Sequence, residues 1–328
     1  MTGTIRLDVH AHLIPVDTGL LSKMTDVSFD EVAQAMTIDG YKVGIKELFR
    51  PDLFEGWMDK SSVGHAFLSS PPPTYRQHLR GEEAYGWTRY LNDGLQKIAA
   101  GSNRRMSVLV HLPNQDTKIA LRVANEAIAS GIRLFSMPTG TGDDRTLADS
   151  EFAPLWYTLN NERCFVFLHP GECSDRRLKP FYLTNLIGNP YETTVTLAHL
   201  MFSGVLERYT DLTLCFAHGG GLLPMAIGRL QRGFDTGRPG IDTSRAGPMR
   251  VRPNVYTDCI CHSQAAATNA EATFGPNNVV FGSDWPFPMG LLEPHEQLAD
   301  FDEARRKAYF DASPNSLLAR LNLEGMIL

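Results

Sequence analysis

The 328-residue chain has no apolar run approaching the roughly 18 residues that a membrane-crossing helix requires. It has no lysine- or arginine-rich run, and 31 basic residues against 37 acidic ones give a net charge of -6. That balance argues against a nucleic-acid or anionic-membrane surface. The N-terminus lacks a basic segment followed by a long apolar one, so no secretory leader is expected. Only five cysteines occur, Cys164, Cys173, Cys215, Cys259 and Cys261. The odd number, with several inside strand-like runs, predicts buried thiols and not a disulfide framework. Cys259-Ile260-Cys261-His262 has no second Cys/His pair at the spacing a zinc knuckle needs. No Gly-x-Gly-x-x-Gly follows the first apolar run, and no repeat, low-complexity tract or flexible linker divides the chain. These absences predict a soluble, cytoplasmic protein whose partner is a small molecule, with no nucleic acid and no membrane.

What is present is an alternation. Short β-branched, apolar runs fall at about residues 5–13, 64–70, 105–113, 131–138, 164–170, 212–219, 253–259 and 279–286. Helical periodicity occupies segments between them, such as 118–130, 152–162, 192–208, 222–234 and 263–274. Strands alternating with helices imply a parallel sheet of the α/β class, and eight such units imply a closed (β/α)8 TIM barrel. The chain is read as a single barrel domain, 1–328. A small inserted flap is expected after strand 1, at about 15–63, where Asp39-Gly40 signals a hairpin.

The first run contains His10-Ala11-His12. Residues i and i+2 of a strand share a face, so both imidazoles can reach one divalent ion, although two surface histidines on an edge strand would have the same spacing. The other strand ends carry more such groups. The fifth run ends in His169, the sixth in His218 and the eighth in Asp284. Catalytic groups of (β/α)8 enzymes stand at this end of the barrel. A lone strand-end histidine is commonly structural, and an aspartate there can cap the next helix; several together at one rim point to chemistry. His111 after the third strand and His262 after the seventh also face the rim, and both are read as structural.

Longer motifs carry a resemblance: Asp8-Val9-His10-Ala11-His12, Phe167-Leu168-His169-Pro170, Gly188-Asn189-Pro190-Tyr191-Glu192-Thr193, Cys215-Phe216-Ala217-His218-Gly219-Gly220-Gly221, and Gly282-Ser283-Asp284-Trp285-Pro286-Phe287-Pro288-Met289-Gly290. Together they resemble the amidohydrolase superfamily, in its metal-dependent decarboxylase branch. The resemblance implies that His10, His12, His169 and Asp284 hold one zinc ion whose shell a water completes. His218 would then be the unligated acid/base, with Asp284 assisting it. Binuclear members carry a bridging lysine at the end of strand 4; Ile132-Arg133-Leu134-Phe135-Ser136-Met137-Pro138 has none.

The implied activity is non-oxidative loss of carbon dioxide from a small unsaturated or aromatic acid, by protonation of the carbon that bears the carboxylate. A zinc-dependent hydrolase of a lactone or cyclic amide, and a catalytically silent metal-binding scaffold, remain open alternatives. Phe49-Arg50-Pro51 resembles the flap arginine that binds substrate in a member of this branch, although a solvated flap charge fits it equally. Arg229 resembles an arginine supplied across a homodimer interface, although a helix-surface arginine fits it equally. Asn185 and Gly171 stand where that member has aromatic side chains, so the substrate-binding pocket is reshaped.

Overall fold

The computed structural model describes residues 3–171, 173–249 and 252–325. In chain order the strands are β1 (Ile5–His12), β2 (Val27–Asp30), β3 (Ala35–Ile38), β4 (Tyr41–Val43), β5 (Val63–Ser69), β6 (Met106–Val108), β7 (Val110–His111), β8 (Leu134–Pro138), β9 (Phe165–His169), β10 (Thr213–Phe216), β11 (Val255–Asp258) and β12 (Val279–Val280). Two parallel sheets, β1-β5-β6 and β12-β11-β10-β9-β8-β7, form one ring. β6 and β7 are one run interrupted at Leu109, whose N–H donates to Leu68 O at 2.8 Å. At the other junction Val9 N donates to Phe281 O at 3.0 Å, Asp284 N to His10 O at 2.7 Å, and His12 N to Trp285 O at 2.9 Å. The result is an eight-stranded barrel with helices outside it.

Alternation along each strand sorts the core into layers. Leu7, Val9, Phe67, Phe165, Phe167 and Cys215 belong to the barrel interior, whereas Val166, Leu168, Leu214 and Phe216 pack outward with helix residues such as Leu197 and Leu223. On β1 the faces exchange. Leu7 and Val9 join the interior cluster, yet Ala11 joins the outer one, and the β1–β5 register shifts between Asp8 and Ala11. One extra residue reverses every side chain beyond it, and here the reversal brings His10 and His12 inside.

Asp39 (φ 50°) and Gly40 (φ 80°) make the tight turn between β3 and β4, in the positive-φ conformation that favours Asp-Gly. The flap's regular part is the β2-β3-β4 sheet, smaller than the expected 15–63 segment. Pro51 at the first helical turn starts the helix Pro51–Lys60 instead. Val27, Met36 and Ile38 pack on Trp87 and Leu91 of the helix Gly81–Gly101, and Phe287 joins them partly buried. Pro71-Pro72-Pro73, expected from composition to be a rigid non-helical loop, instead enters one turn of 3₁₀ helix, Pro72–Thr74, which leads into Tyr75. Gly204 (φ 76°) splits the expected 192–208 helix into Asn189–Phe202 and Val205–Arg208. Among the described residues no helix is long and apolar enough to cross a membrane.

Candidate active site and metal centre

Three histidines and one aspartate converge at the strand carboxyl ends. Ligand atoms of His10, His12, His169 and Asp284 all lie within 4.8 Å of one another, and all four residues are buried. Each histidine is anchored through Nδ1. His10 Nδ1 donates to Asp258 Oδ2 at 2.8 Å, His12 Nδ1 meets Ser69 Oγ at 3.0 Å, and His169 Nδ1 donates to Pro170 O at 2.8 Å. With Nδ1 so engaged, Nε2 of His10 and of His12 face the centre, 3.0 Å apart and 3.2 and 3.3 Å from Asp284 Oδ1. Asp284 Oδ1 is buried and lacks a hydrogen-bond partner. Three imidazoles and one carboxylate oxygen, with an orphaned oxygen among them, fit a divalent cation.

The charged groups of the cluster shift one another's titration. Burial penalises charge on His10, but Asp284 and Asp258 outweigh it and raise its pKa to about 10. Burial likewise opposes the Asp284 carboxylate, and His10, His12 and His218 outweigh it, holding the carboxyl well below its ordinary range. His12 and His169 go the other way, lowered by burial.

Asp258, at the end of β11, was not among the residues singled out by sequence, and it is the hub of the site. Its Oδ2 accepts from His10 Nδ1 at 2.8 Å and from His218 N at 2.9 Å, and its Oδ1 accepts from Gly219 N and Ile260 N, both at 3.0 Å. One buried carboxylate thus orients a histidine of the centre and fixes the loops after two neighbouring strands. Its position at a strand end was the available signal. Asp8 does the same on β1: its Oδ1 accepts from His10 N at 2.9 Å and Ser283 N at 3.0 Å, and Ser283 Oγ donates to its Oδ2 at 2.5 Å. Burial pushes the Asp8 carboxyl up to about 7 despite those bonds.

His218 follows β10 in a left-handed conformation (φ 57°), with Nε2 3.6 Å from Asp284 Oδ2 and its side chain 17% exposed. It lines a cavity of about 390 Å³ together with Asp284, Asn185, Ile260, His262 and Met289. The structure therefore brings His10, His12, His169, His218, Asp284 and Asn185 to one place. Arg50 and Arg229 are not among the residues lining that cavity. Arg50 is exposed and bound to Asp52 at 2.7 and 2.5 Å. Arg229 is exposed on the helix Leu223–Asp235, one turn beyond the cavity residue Met225. His111 is buried and stacked on Tyr75, ring centroids 5.2 Å apart.

Fold and site together define a (β/α)8 barrel with a metal-binding centre at the strand ends. Residues 7–315 match the amidohydrolase family model, and the chain belongs to that family. It is 27% identical over 324 residues to 2-amino-3-carboxymuconate-6-semialdehyde decarboxylase of Dictyostelium discoideum, covering 93% of this chain and 89% of that one. The crystal structure of Metarhizium anisopliae IDCase in apo form superposes with a TM-score of 0.81 at 21% identity, covering 98% of both chains. A Polaromonas dihydroxybenzoic acid decarboxylase, solved with manganese and the inhibitor 2-nitroresorcinol, gives 0.77 at 19% identity, covering 99% of this chain and 100% of that one.

Proposed function

We propose that this chain is a metal-dependent carboxy-lyase that removes carbon dioxide, without oxidation, from a small aromatic carboxylic acid. The observation that carries the reading is His218: an imidazole outside the four-residue cluster, on the cavity wall, within 3.6 Å of Asp284. Curated relatives named as decarboxylases favour this over hydrolysis of a lactone or cyclic amide.

His10, His12, His169 and Asp284 would hold the cation. When bound, it supplies Lewis acidity toward the substrate's carboxylate or an adjacent oxygen substituent. The absence of a lysine on β8 supports a single ion, and three imidazoles with one carboxylate suit zinc. The protein's own residues supply the proton. His218, as imidazolium, gives its Nε2 proton to the ring carbon that bears the carboxylate. The carbon–carbon bond then breaks, carbon dioxide leaves, and the bonding pair restores aromaticity. Asp284 Oδ2 stabilises the imidazolium before transfer, and solvent reprotonates His218 afterwards.

Five free cysteines suit a reducing, cytoplasmic setting. A homodimer is the reading that gives Arg229 a role, since its helix face continues the cavity rim outward from Met225; sedimentation at working concentration tests it. The activity is tested by supplying zinc- or manganese-loaded protein with hydroxylated and amino-substituted aromatic acids and ring-cleaved muconate semialdehydes. Carbon dioxide release from at least one of the aromatic acids is expected. Release from none, with ring opening of a lactone or cyclic amide instead, would replace the reading with hydrolysis.

A further inference from the structure

Three consecutive strands of the barrel end in loops where a side-chain-bearing residue takes the left-handed conformation: His218 (φ 57°), His262 (φ 55°) and Asp284 (φ 55°). Such backbone is costly for non-glycine residues and persists where surrounding structure enforces it, commonly at functional sites. For His218 and Asp284 the turn delivers the side chain to the cavity. His262 is the third, and it lines the same cavity. Its loop is held by the same carboxylate that holds the loop of His218: Asp258 Oδ1 accepts from Ile260 N and from Gly219 N, both at 3.0 Å, and Cys261 N donates to Cys259 O at 2.8 Å.

The surrounding wall combines apolar Leu186, Pro190, Leu222, Met225 and Ile260 with the amides of Asn185, Asn189 and Asn269. In such a pocket the convergent polar groups set orientation and specificity. Among the described residues no lysine or arginine lines it, so a second carboxylate on the substrate would meet no cationic side chain there. Partial burial, and then the neighbouring His218, lower the pKa of His262 from its ordinary value. A neutral imidazole presents one donor and one acceptor, the complement of a hydroxyl or amino group.

We propose that His262 is a specificity-determining residue whose imidazole hydrogen-bonds a neutral polar substituent, a hydroxyl or amino group, on the ring of an aromatic monocarboxylic acid. The proposal rests on the decarboxylase reading for its substrate class, but its test reads binding and not turnover. His262→Gly removes the ring while keeping a backbone that glycine adopts freely, so its thermal midpoint should not fall below that of the parent. Benzoate and 2-, 3- and 4-hydroxybenzoate are titrated calorimetrically into the metal-loaded parent, His262→Gly and His262→Asn.

At least one hydroxybenzoate should bind the glycine variant about tenfold more weakly than the parent, the loss of one net hydrogen bond, with benzoate changed less than about twofold. His262→Asn, which restores a donor and an acceptor, should recover most of that loss. Equal changes for all four acids, no change for any, or a parent that binds no hydroxybenzoate more tightly than benzoate would overturn the assignment. Ring-dependent binding without carbon dioxide release would overturn the decarboxylase reading alone. Release without ring-dependent binding would overturn the His262 assignment alone.

Discussion

At the ends of β10 to β12 the barrel mouth opens onto the cavity, and His218, His262 and Asp284 project into its wall from strand-end loops, beside His169 at the end of β9. At the ends of β5, β7 and β8 it is sealed. His111 stacks on Tyr75, Gln77 Nε2 donates to Gly140 O at 2.6 Å, and Asn114 Nδ2 donates to Pro138 O at 2.7 Å. Both arcs contain buried polar atoms without a partner: Asp284 Oδ1 and His218 Nδ1 in the first, Ser70 Oγ, Thr139 Oγ1 and both ring nitrogens of His111 in the second. An unpartnered atom alone therefore does not mark the site. In the open arc such atoms adjoin space and converge with other ligand atoms. In the sealed arc they are packed apart, and their desolvation is a cost to folding.

The comparison is broken hardest at His218. His218→Asn should lower the rate of carbon dioxide release by about 10²–10⁴, the usual worth of a positioned acid. Metal content, read by elemental analysis, should be unchanged because His218 lies outside the four-residue cluster. Retained turnover would remove the proton-donor role from the open arc. Next in size is Asp258→Asn, which disturbs the acceptor shared by His10 Nδ1 and three backbone N–H groups. Metal affinity in a chelator titration should weaken by about 10–100-fold. Unchanged affinity would make Asp258 a loop support only.

The two arcs also differed in how well the sequence revealed them. Strand order, the closed ring and the convergence of His10, His12, His169 and Asp284 follow from local runs and their end residues, because a barrel strand carries its last inward side chain to the mouth. Which face His10 and His12 take was not legible. Strict alternation from Leu7 and Val9 would send them outward, and only the register shift against β5 turns them in. Asp258 stayed hidden because its partners are the side chain of His10 and backbone groups of separate loops, a tertiary fact with no sequence spacing. The helix Pro51–Lys60 was absorbed into the flap although Pro51 at its start was a readable signal. The sealed arc was illegible for another reason: Tyr75 reaches His111 across 36 positions of chain through stacking, which leaves no periodic trace.

The buried histidine of the sealed arc makes folding stability depend on pH. Burial lowers His111 to about 4 from 6.5. As pH falls below 6.5 the unfolded chain takes up this proton first, so the stability it contributes is present above pH 6.5 and lost toward pH 4. Between pH 6.5 and 5 the loss from this one group is about 2 kcal/mol. His65, also lowered to about 4 by burial, adds a second loss of the same sign. His111→Phe, which preserves an aromatic face for Tyr75, should flatten this part of the urea-unfolding profile without abolishing it. Turnover at pH 7 should stay near the parent value. An unaltered pH slope would place the proton uptake elsewhere, and a collapse of turnover would make the sealed arc part of the site.

The smallest effect is expected at Arg50, and it tests whether two arcs are the whole description. Arg50 lies between the flap and the helix Pro51–Lys60, with φ -125° and ψ 81°, outside the helical region that a following proline disfavours. Its guanidinium is engaged by Asp52 two residues on, its side chain is 44% exposed, and it is not among the cavity residues. Phe49 beside it is buried and packs on Phe29 of β2, ring centroids 5.2 Å apart, so the flap's own core fixes the start of this segment. An exposed pair that touches no ligand should be worth little, and Arg50→Ala should change KM by less than about twofold. A tenfold rise in KM at constant kcat would mean that Arg50 leaves Asp52 and reaches the substrate's carboxylate. The flap would then be a third wall, closing over the mouth when substrate binds, and the contrast between an open and a sealed arc would describe only the resting enzyme.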